Sequence, residues 1–461
     1  MKKIRFYIAF YAAKLTQALL KLLGRNATYL PGKLAAKISK DFLSHLAPPK
    51  TVIAVTGTNG KTTVSNLLTS ILTDNGYSVT NNSFGSNIQA GVISALVEDS
   101  DLLGRAKKDI AVLEVDERSS LLIYPYLAPD YLICNNIMRD SIKRNAHTEF
   151  ISYVIDKALP RSTKLILNAD DLIASGLGTN GQEKVFFGLD AWKPETSLPQ
   201  HIRDIVYCPK CGGTLQAEYV RYNHIGRYHC TECDMHSPTP DYVVTAIDTT
   251  SNTFTVKHAE LEETFTLIND NIVNVYNFCG VIALLSELGL TNVQIHKGFS
   301  DSKIVKTRLD EVESGDLHIT MLMAKGQNPI ACARCYDYVA KSQRTDKGVI
   351  VVVDDLGDNI NNSETTCWLY DCDYSAFNDA SINQIVFAGP RCRDHYLRAL
   401  LAGVDATKML ITEDYEEAVK MLNTDVCKNI FVLFELYRVK DSETVKNALI
   451  LRGRGGLNND N

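Results

Sequence analysis

No stretch of this 461-residue sequence reaches the ~20 consecutive apolar residues that a membrane-spanning helix needs. The nearest candidate, residues 4–23, is rich in Ile, Leu and Phe, but Arg5, Lys14 and Lys21 interrupt it. No small-residue cleavage site follows it, so a secretory signal is not expected and a cytoplasmic location is. A dominant charge is missing too. Net charge is −6, which makes no general case for nucleic-acid binding. There is no internal repeat, which argues against solenoids and propellers. What is present is ordinary for a globular chain of two or three domains: 45% hydrophobic and 22% charged residues. The charge is unevenly placed. The first 50 residues hold ten Lys/Arg and one acid, Asp41. This basic, apolar-rich opening has two readings: a helix packed on the following domain, or one with a face that also leans on an anionic membrane, giving peripheral contact with its inner face.

The most informative stretch is Thr56-Gly-Thr-Asn-Gly-Lys-Thr-Thr63. An apolar run, Thr51–Val55, precedes it and reads as a buried strand. Leu67, Leu68, Ile71 and Leu72 follow at helical spacing. Strand, glycine turn, Lys-Thr and helix make a phosphate loop. Backbone N–H groups close around phosphate oxygens, Lys61 reaches the β- and γ-phosphates, and the Thr62 hydroxyl ligates Mg²⁺. Thr58, Asn59, Gly60, Lys61, Thr62 and Thr63 are therefore the expected ATP-binding residues. A second strand, Asp109–Val115, ends in acids. Glu114 is the expected further Mg²⁺ ligand, with Asp116 as the alternative, because Mg²⁺ takes hard oxygen donors and few of them from protein. The bland reading of such acids is solvation or helix capping.

Twelve cysteines without a secretory signal point to metal rather than disulfides. Cys208-x-x-Cys211 and Cys230-x-x-Cys233, with 18 residues between them, have the spacing of a closed four-thiolate zinc ribbon, a structural Zn²⁺ site. Tyr219, Tyr222 and Tyr228 suit its hairpin, and no dense basic and aromatic face suggests nucleic acid. Cys332-x-x-Cys335 has no second pair and reads as helix surface.

Short apolar strands alternate with helical stretches from residue 48 to about 190, predicting a parallel sheet with helices on both faces. The expected division is a helical segment over 1–47 packed on the central domain, an ATP-binding central domain over 48–299 with the ribbon inserted at 205–240, and a second, Rossmann-like α/β domain over 300–461. The tail from Arg452, rich in Gly and Asn, reads as disordered.

The short phosphate loop resembles that of Mur ligases and folylpolyglutamate synthetases. Further segments resemble one branch of the Mur ligase superfamily, the MurT synthetase subunits of lipid II isoglutaminyl synthase. They are Asn82-Ser-Phe-Gly-Ser-Asn87, Leu113-Glu-Val-Asp-Glu117, Asn136-Ile-Met-Arg-Asp140, Asn168-Ala-Asp-Asp171, Asn274-x-Tyr-Asn277, Asn328-Pro329, Trp368-Leu-Tyr-Asp371-Cys-Asp373 and Ala388-Gly-Pro-Arg391. The resemblance implies a Mur ligase-type fold and adds Asn274, Asn277 and Arg308 to the ATP-binding residues. It implies ATP-dependent amidation of the D-glutamate α-carboxylate in the lipid II stem peptide through an acyl phosphate. The ammonia would come from a partner glutaminase resembling GatD, in a heterodimer. In that family the synthetase lends an Asp to the partner's Cys-His pair. Here Asp371, in its aromatic context, is the first candidate, Asp358 the alternative, and Asp354 or Asp355 the third. The run Val353-Asp-Asp-Leu-Gly-Asp358 departs from the family pattern, and Lys143 stands where the family has an Asp. Lys157 is a candidate for the carbamylated lysine of some Mur ligases. Two other readings stay open: an amino-acid-adding ligase, and a non-catalytic scaffold that binds ATP and a cell-wall precursor.

Overall fold

The computed structural model describes every residue except 1, 83–85, 141–146, 191–203, 302–308, 325, 327, 354–365, 436–437 and 456–461. Its secondary structure forms two compact units: Met1–Met138, His147–Leu198 and Arg203–Ile304 in the first, Arg139–Ala146, Pro199–Ile202 and Val305–Asn461 in the second.

The first unit opens with helices α1 (Lys2–Leu22) and α2 (Leu30–Ile38). Its sheet uses β1 (Thr51–Thr56), β2 (Val79–Asn81), β3 (Ile110–Glu114), β4 (Tyr131–Cys134), β5 (Lys164–Asn168) and β6 (Lys184–Leu189). After the hairpin β7 (Leu215–Tyr222) and β8 (Ile225–Cys230) it is completed by β9 (Tyr242–Asp248), β10 (Thr253–His258) and β11 (Leu261–Thr266). The order is β11-β10-β9-β6-β5-β4-β1-β3-β2, parallel from β2 to β9 and antiparallel beyond. Alternation along each strand divides the core. Val52, Ala54, Ala111, Leu113, Leu132 and Leu165 face one layer, where Phe6, Phe10 and Phe42 also lie. The other face is covered by α3 (Lys61–Asp74) and the helix Ile272–Glu287. In α3, Val64, Leu67, Leu68, Ile71 and Leu72 are buried at the spacing of one helical stripe. Helix α4 (Gln89–Glu98) packs against α1 and α2.

The second unit has β12 (Leu309–Ser314), β13 (Leu317–Met323), β14 (Lys347–Val352), β15 (Ile382–Ala388), β16 (Met409–Thr412) and β17 (Asn429–Phe434), ordered β12-β13-β17-β14-β15-β16. All neighbours are parallel except the edge pair β12 and β13. Val349, Val351, Ile385, Phe387, Phe431 and Leu433 point to one helical layer, while Ile350, Val352, Val386, Ile430 and Val432 point to the other. Both units therefore have the expected α/β construction. The start of the tail is a correction, while its residues 456–461 lie outside the described residues. The last helix, Val439–Gly453, carries Arg452 inside it, because Val445 and Leu449 are buried and the Arg452 guanidinium donates to the carbonyls of Val419, Lys420 and Leu422. Cys332 is a second correction: it is buried in the helix Pro329–Lys341, not on its surface. Among the described residues no helix is long and apolar enough to cross a membrane.

Candidate active site

The phosphate loop joins β1 to α3 at the carboxyl edge of the parallel strands, where such sheets bind ligands. Gly57 and Gly60 have φ of +117° and +92°. A Cβ on Gly57 would lie 2.8 Å from the Asn136 carbonyl oxygen, and one on Gly60 2.4 Å from Asn277 Oδ1, so both positions need glycine. Among the described residues no side chain caps the α3 N-terminus, which leaves its first N–H groups to a ligand.

The loop is clamped by the end of β4. Thr58 N donates to Asn136 O at 2.9 Å, and Asn59 N to Asn136 Oδ1 at 2.9 Å. The Thr58 hydroxyl donates to Met138 O at 3.0 Å and accepts from Met138 N at 2.9 Å. Below the loop, Asn135 Nδ2 donates to Asn277 Oδ1, and Asn277 Nδ2 to Asn274 Oδ1 at 3.3 Å. Asn277 thus props Gly60, and Asn274 continues the same amide chain outward, its Nδ2 donating to Asn269 Oδ1 at 3.0 Å. The roles of Asn135 and Asn136 emerge only in the fold, since nothing local marks two asparagines after a strand as loop clamps.

The charged groups lie above this frame. Lys61 Nζ is 2.9 Å from Glu117 Oε1 and also donates to Gly57 O. Burial pulls the Lys61 ammonium down, but Glu117, with Glu114 and Asp116 behind it, outweighs burial and holds its pKa above the ordinary lysine value. The Thr62 hydroxyl donates to Glu114 Oε2 at 2.9 Å, and Asn87 Nδ2 donates to Glu114 Oε1 at 3.2 Å. Asn82 fixes the backbone of the same residue, accepting from Glu114 N at 2.8 Å and donating to Glu114 O at 2.9 Å. Thr62 and Glu114 are therefore adjacent oxygen donors, the chemistry Mg²⁺ requires. Asp116 is used differently. Its carboxylate caps a short turn by accepting from Arg118 N at 3.1 Å. Lys157 is exposed, with its ammonium over the Tyr153 ring.

The four cysteines of the insert converge. Their sulfurs all lie within 4.8 Å of one another, with Cys208 to Cys233 at 3.6 Å and Cys211 to Cys230 at 3.5 Å. Tetrahedral zinc with Zn–S near 2.3 Å would set such pairs about 3.8 Å apart, so the donor set fits that metal. Backbone N–H groups of Lys210, Gly213 and Glu232 point at sulfurs at 3.3–3.4 Å, as thiolates would favour.

The inner end of the hairpin is tied to the sheet by buried charge. Arg221 Nη1 donates to Asp170 Oδ2 at 2.9 Å, which also accepts from Tyr276 OH at 2.6 Å. Arg227 Nε is 3.3 Å from Asp170 Oδ1. His224 lies between Asp171, at 3.1 Å, and Asp204, at 3.4 Å. Burial alone would pull the imidazole down, but these carboxylates push its pKa up to about 9. Asp171 in turn accepts from Ile137 N at 2.8 Å, one residue before the Met138 that holds Thr58.

In the second unit, Asp371 ends the helix Cys367–Asp371, and its Oδ2 lies 3.1 Å from Arg139 Nη1. Its side chain is 21% exposed. Asn328 caps the helix Pro329–Lys341 and donates to Asp140 Oδ1 at 3.1 Å. Arg308, Asp354, Asp355 and Asp358 lie outside the described residues.

Residues 55–203 match the family described as Mur ligase middle domain, and residues 326–437 that described as MurT ligase C-terminal. Among curated proteins, the chain is 28% identical over 422 residues to the lipid II isoglutaminyl synthase (glutamine-hydrolyzing) subunit MurT of Staphylococcus aureus (strain COL), covering 91% of this chain and 93% of that one. It is 28% identical over 430 residues to the Streptococcus pneumoniae subunit of the same name, at 92% and 93% coverage. Among solved structures, a pseudomurein peptide ligase type C from Methanothermus fervidus superposes with TM-score 0.66 at 20% identity, covering 90% of this chain and 84% of that one. MurF ligase from Thermotoga maritima in complex with ADP superposes with TM-score 0.59 at 16% identity, covering 92% and 85%. Taken with the phosphate loop and the four-cysteine insert, these matches make the chain similar to MurT subunits over about nine-tenths of its length, with one region that matches the Mur ligase middle domain and another that matches the MurT ligase C-terminal.

Proposed function

We propose that the chain is the synthetase subunit of an enzyme that amidates the D-glutamate α-carboxylate of lipid II to D-isoglutamine, with ATP as the activating substrate and ammonia from a partner glutaminase resembling GatD. The observation that carries this is the pairing, in one chain, of a Mur-type phosphate loop with a MurT-type C-terminal domain, alongside full-length likeness to two subunits of that name.

The chemistry follows from the charges. A carboxylate oxygen attacks the γ-phosphorus of ATP, ADP leaves, and an acyl phosphate forms. Ammonia then attacks the acyl carbon, the C–O bond to phosphate breaks, and a proton is lost as the amide forms. Phosphoryl transfer needs positioning and charge neutralisation more than covalent help. Lys61 supplies a permanent cation, kept charged by Glu117. Gly57, Gly60 and the uncapped α3 N-terminus supply the phosphate cradle. Thr62 and Glu114 would hold Mg²⁺, which neutralises phosphate charge when bound. Asn135, Asn136 and Asn277 bear no charge and keep the cradle in shape. Asp371 is our choice for the carboxylate lent to the partner's Cys-His pair, where it would orient the imidazole and stabilise its cation. It is already held by Arg139 and is not sealed from solvent.

The test is to co-express the chain with its glutaminase and follow amidation of lipid II with glutamine or with free ammonia. Wild type is expected to use both, and Asp371→Asn ammonia alone. Loss of both routes in Asp371→Asn would remove Asp371 from the proposed role. Product carrying an added amino acid in place of an amide would make the chain an amino-acid-adding ligase.

A further inference from the structure

Helix α1 is apolar on two opposite faces, and among the described residues only one of them is packed into the core. The inner face buries Phe6, Ala9, Phe10, Ala13 and Gln17. Phe6 and Phe10 join the core beside Phe42, and Gln17 Nε2 donates to Ser94 O at 2.8 Å. This contact fixes the rotation of the helix. The outer face then carries Ile4, Ile8, Tyr11, Leu15, Leu19 and Leu22, spaced by four, three, four, four and three residues. These six are one straight stripe, and at 1.5 Å per residue it runs about 27 Å. Its members are 48–84% exposed, with Leu22 at 84%, Ile4 at 66% and Leu15 at 62%. Scattered exposed leucines are normal; an unbroken stripe of this length is not. It is extended sideways. Tyr11 OH donates to Leu102 O at 3.0 Å, which brings exposed Leu102 and Leu103 beside it.

The charge around the stripe names the occupant. Lys3, Lys14 and Lys21 recur along one border at helical spacing. Lys14 and Lys21 are braced by the end of α4: Lys14 Nζ donates to Ser100 O at 2.9 Å, and Lys21 Nζ lies 2.6 Å from Glu98 Oε1. Across the first 50 residues ten Lys/Arg face a single acid, although the whole chain is net negative. A helix with an apolar outer stripe and a basic border, and no helix able to span among the described residues, is the pattern of a segment lying in the plane of a bilayer surface. A second copy seated antiparallel on the same face, about a two-fold axis perpendicular to α1, would set these basic borders against each other.

We propose that the outer face of α1, with Leu102 and Leu103, docks the protein on an anionic lipid bilayer. The apolar side chains enter the headgroup–acyl boundary and the lysines meet lipid phosphates. The inference stands on the helix alone and goes beyond the amidation reading, which it would serve by holding the site at the surface where a lipid-linked substrate lies.

The test is co-sedimentation of the full chain, with its partner subunit, with phosphatidylglycerol–phosphatidylcholine vesicles and with pure phosphatidylcholine vesicles. The expected result is binding to the anionic vesicles at least ~10-fold tighter than to the neutral ones, weakened by salt. Ile8→Ser/Leu15→Ser/Leu19→Ser is expected to reduce that binding ~10-fold or more while thermal melting and nucleotide binding stay at wild-type values, since these side chains point away from the core. Lys3→Glu/Lys21→Glu is expected to lose the preference for anionic lipid. Absence of wild-type binding to anionic vesicles, or undiminished binding by the triple serine variant, overturns the proposal. So does a dimer that the triple variant breaks with no vesicle binding, which would give the face to a second copy. A lipid-free stem-peptide substrate separates the two readings: its amidation should be equal in wild type and triple variant, and its failure in both would count against the amidation reading alone.

Discussion

At the scale of single residues, the site is organised by one buried ion pair. Lys61 and Glu117 are 12% and 3% exposed, so neither charge is well served by water. Each is tolerated because the other is there. A nucleotide phosphate that takes the Lys61 ammonium must compete with Glu117. This makes an unusual prediction for Glu117→Gln. Without nucleotide the variant leaves Lys61 under-compensated and should be less stable, by roughly 3 kcal/mol. With a non-hydrolysable ATP analogue the phosphates replace the lost charge, so the ligand-induced rise in melting temperature should exceed that of wild type. Paired melts with and without analogue check this; equal rises in both proteins would reject the competition. That Lys61, Thr62 and Thr63 open a helix after a glycine turn was readable from sequence, because a buried strand followed by a glycine loop and Lys-Thr permits few other local structures. Glu117 was not, because the run Glu114-Val-Asp-Glu117 does not say which carboxylate faces the loop. That is decided by the turn Glu117–Ser119, which starts only after Asp116 has been spent as its cap.

At the scale of elements, the four-cysteine insert is more than an appended ribbon. Its cysteines and hairpin were legible, since two Cys-x-x-Cys pairs at that spacing specify a metal geometry. Its inner end was not, because Arg221, His224 and Arg227 meet Asp170 and Asp171 from more than 50 positions away. Through Asp171 and Ile137 N the hairpin supports the segment that clamps the phosphate loop. Asp170 is completely buried and receives Arg221, Tyr276 and the Leu189 N–H. Removing the guanidinium leaves the buried carboxylate with the half-buried Arg227, at 3.3 Å, as its remaining cation, so the cost should lie at the lower end of the ~3–5 kcal/mol typical of a broken buried pair. Arg221→Met should therefore destabilise the first unit by about that amount in denaturant titration. The double variant Arg221→Met/Asp170→Asn should recover part of the loss, since it removes the orphaned charge as well. Absence of any recovery would mean that the packing of Arg221 over the Tyr219 ring, at 4.2 Å, matters more than its charge.

At the scale of the whole molecule, each unit carries a fully buried histidine, and the two are tuned in opposite directions. The α/β layering of both units was readable from short apolar runs between helical stretches. The edge strands β12 and β16 and the short β2 were not, because their sequences lack the continuous apolar run of a strand buried on both faces. Nor could the sequence give the setting of either histidine. His224, in the first unit, faces Asp171 and Asp204 and is pushed up to about 9. His395, in the second, is pulled down to about 4 by burial. Its Nδ1 accepts from Tyr374 OH at 2.6 Å and its Nε2–H donates to Val353 O at 2.8 Å, so the folded unit requires the neutral ring. The signs follow by linkage. Stability from His224 is fully present below the ordinary histidine value of about 6.5 and is lost as pH rises through about 9. Stability from His395 is present above about 6.5 and is lost as pH falls toward about 4. The first unit should thus be the weaker one at alkaline pH and the second at acid pH. Calorimetry of the full chain from about pH 5 to 10 should resolve two transitions whose order reverses across that range. His224→Gln should remove the alkaline fall of one transition, and His395→Gln the acid fall of the other. A single transition order at every pH, unchanged by either substitution, would mean that neither histidine sets the stability of its unit.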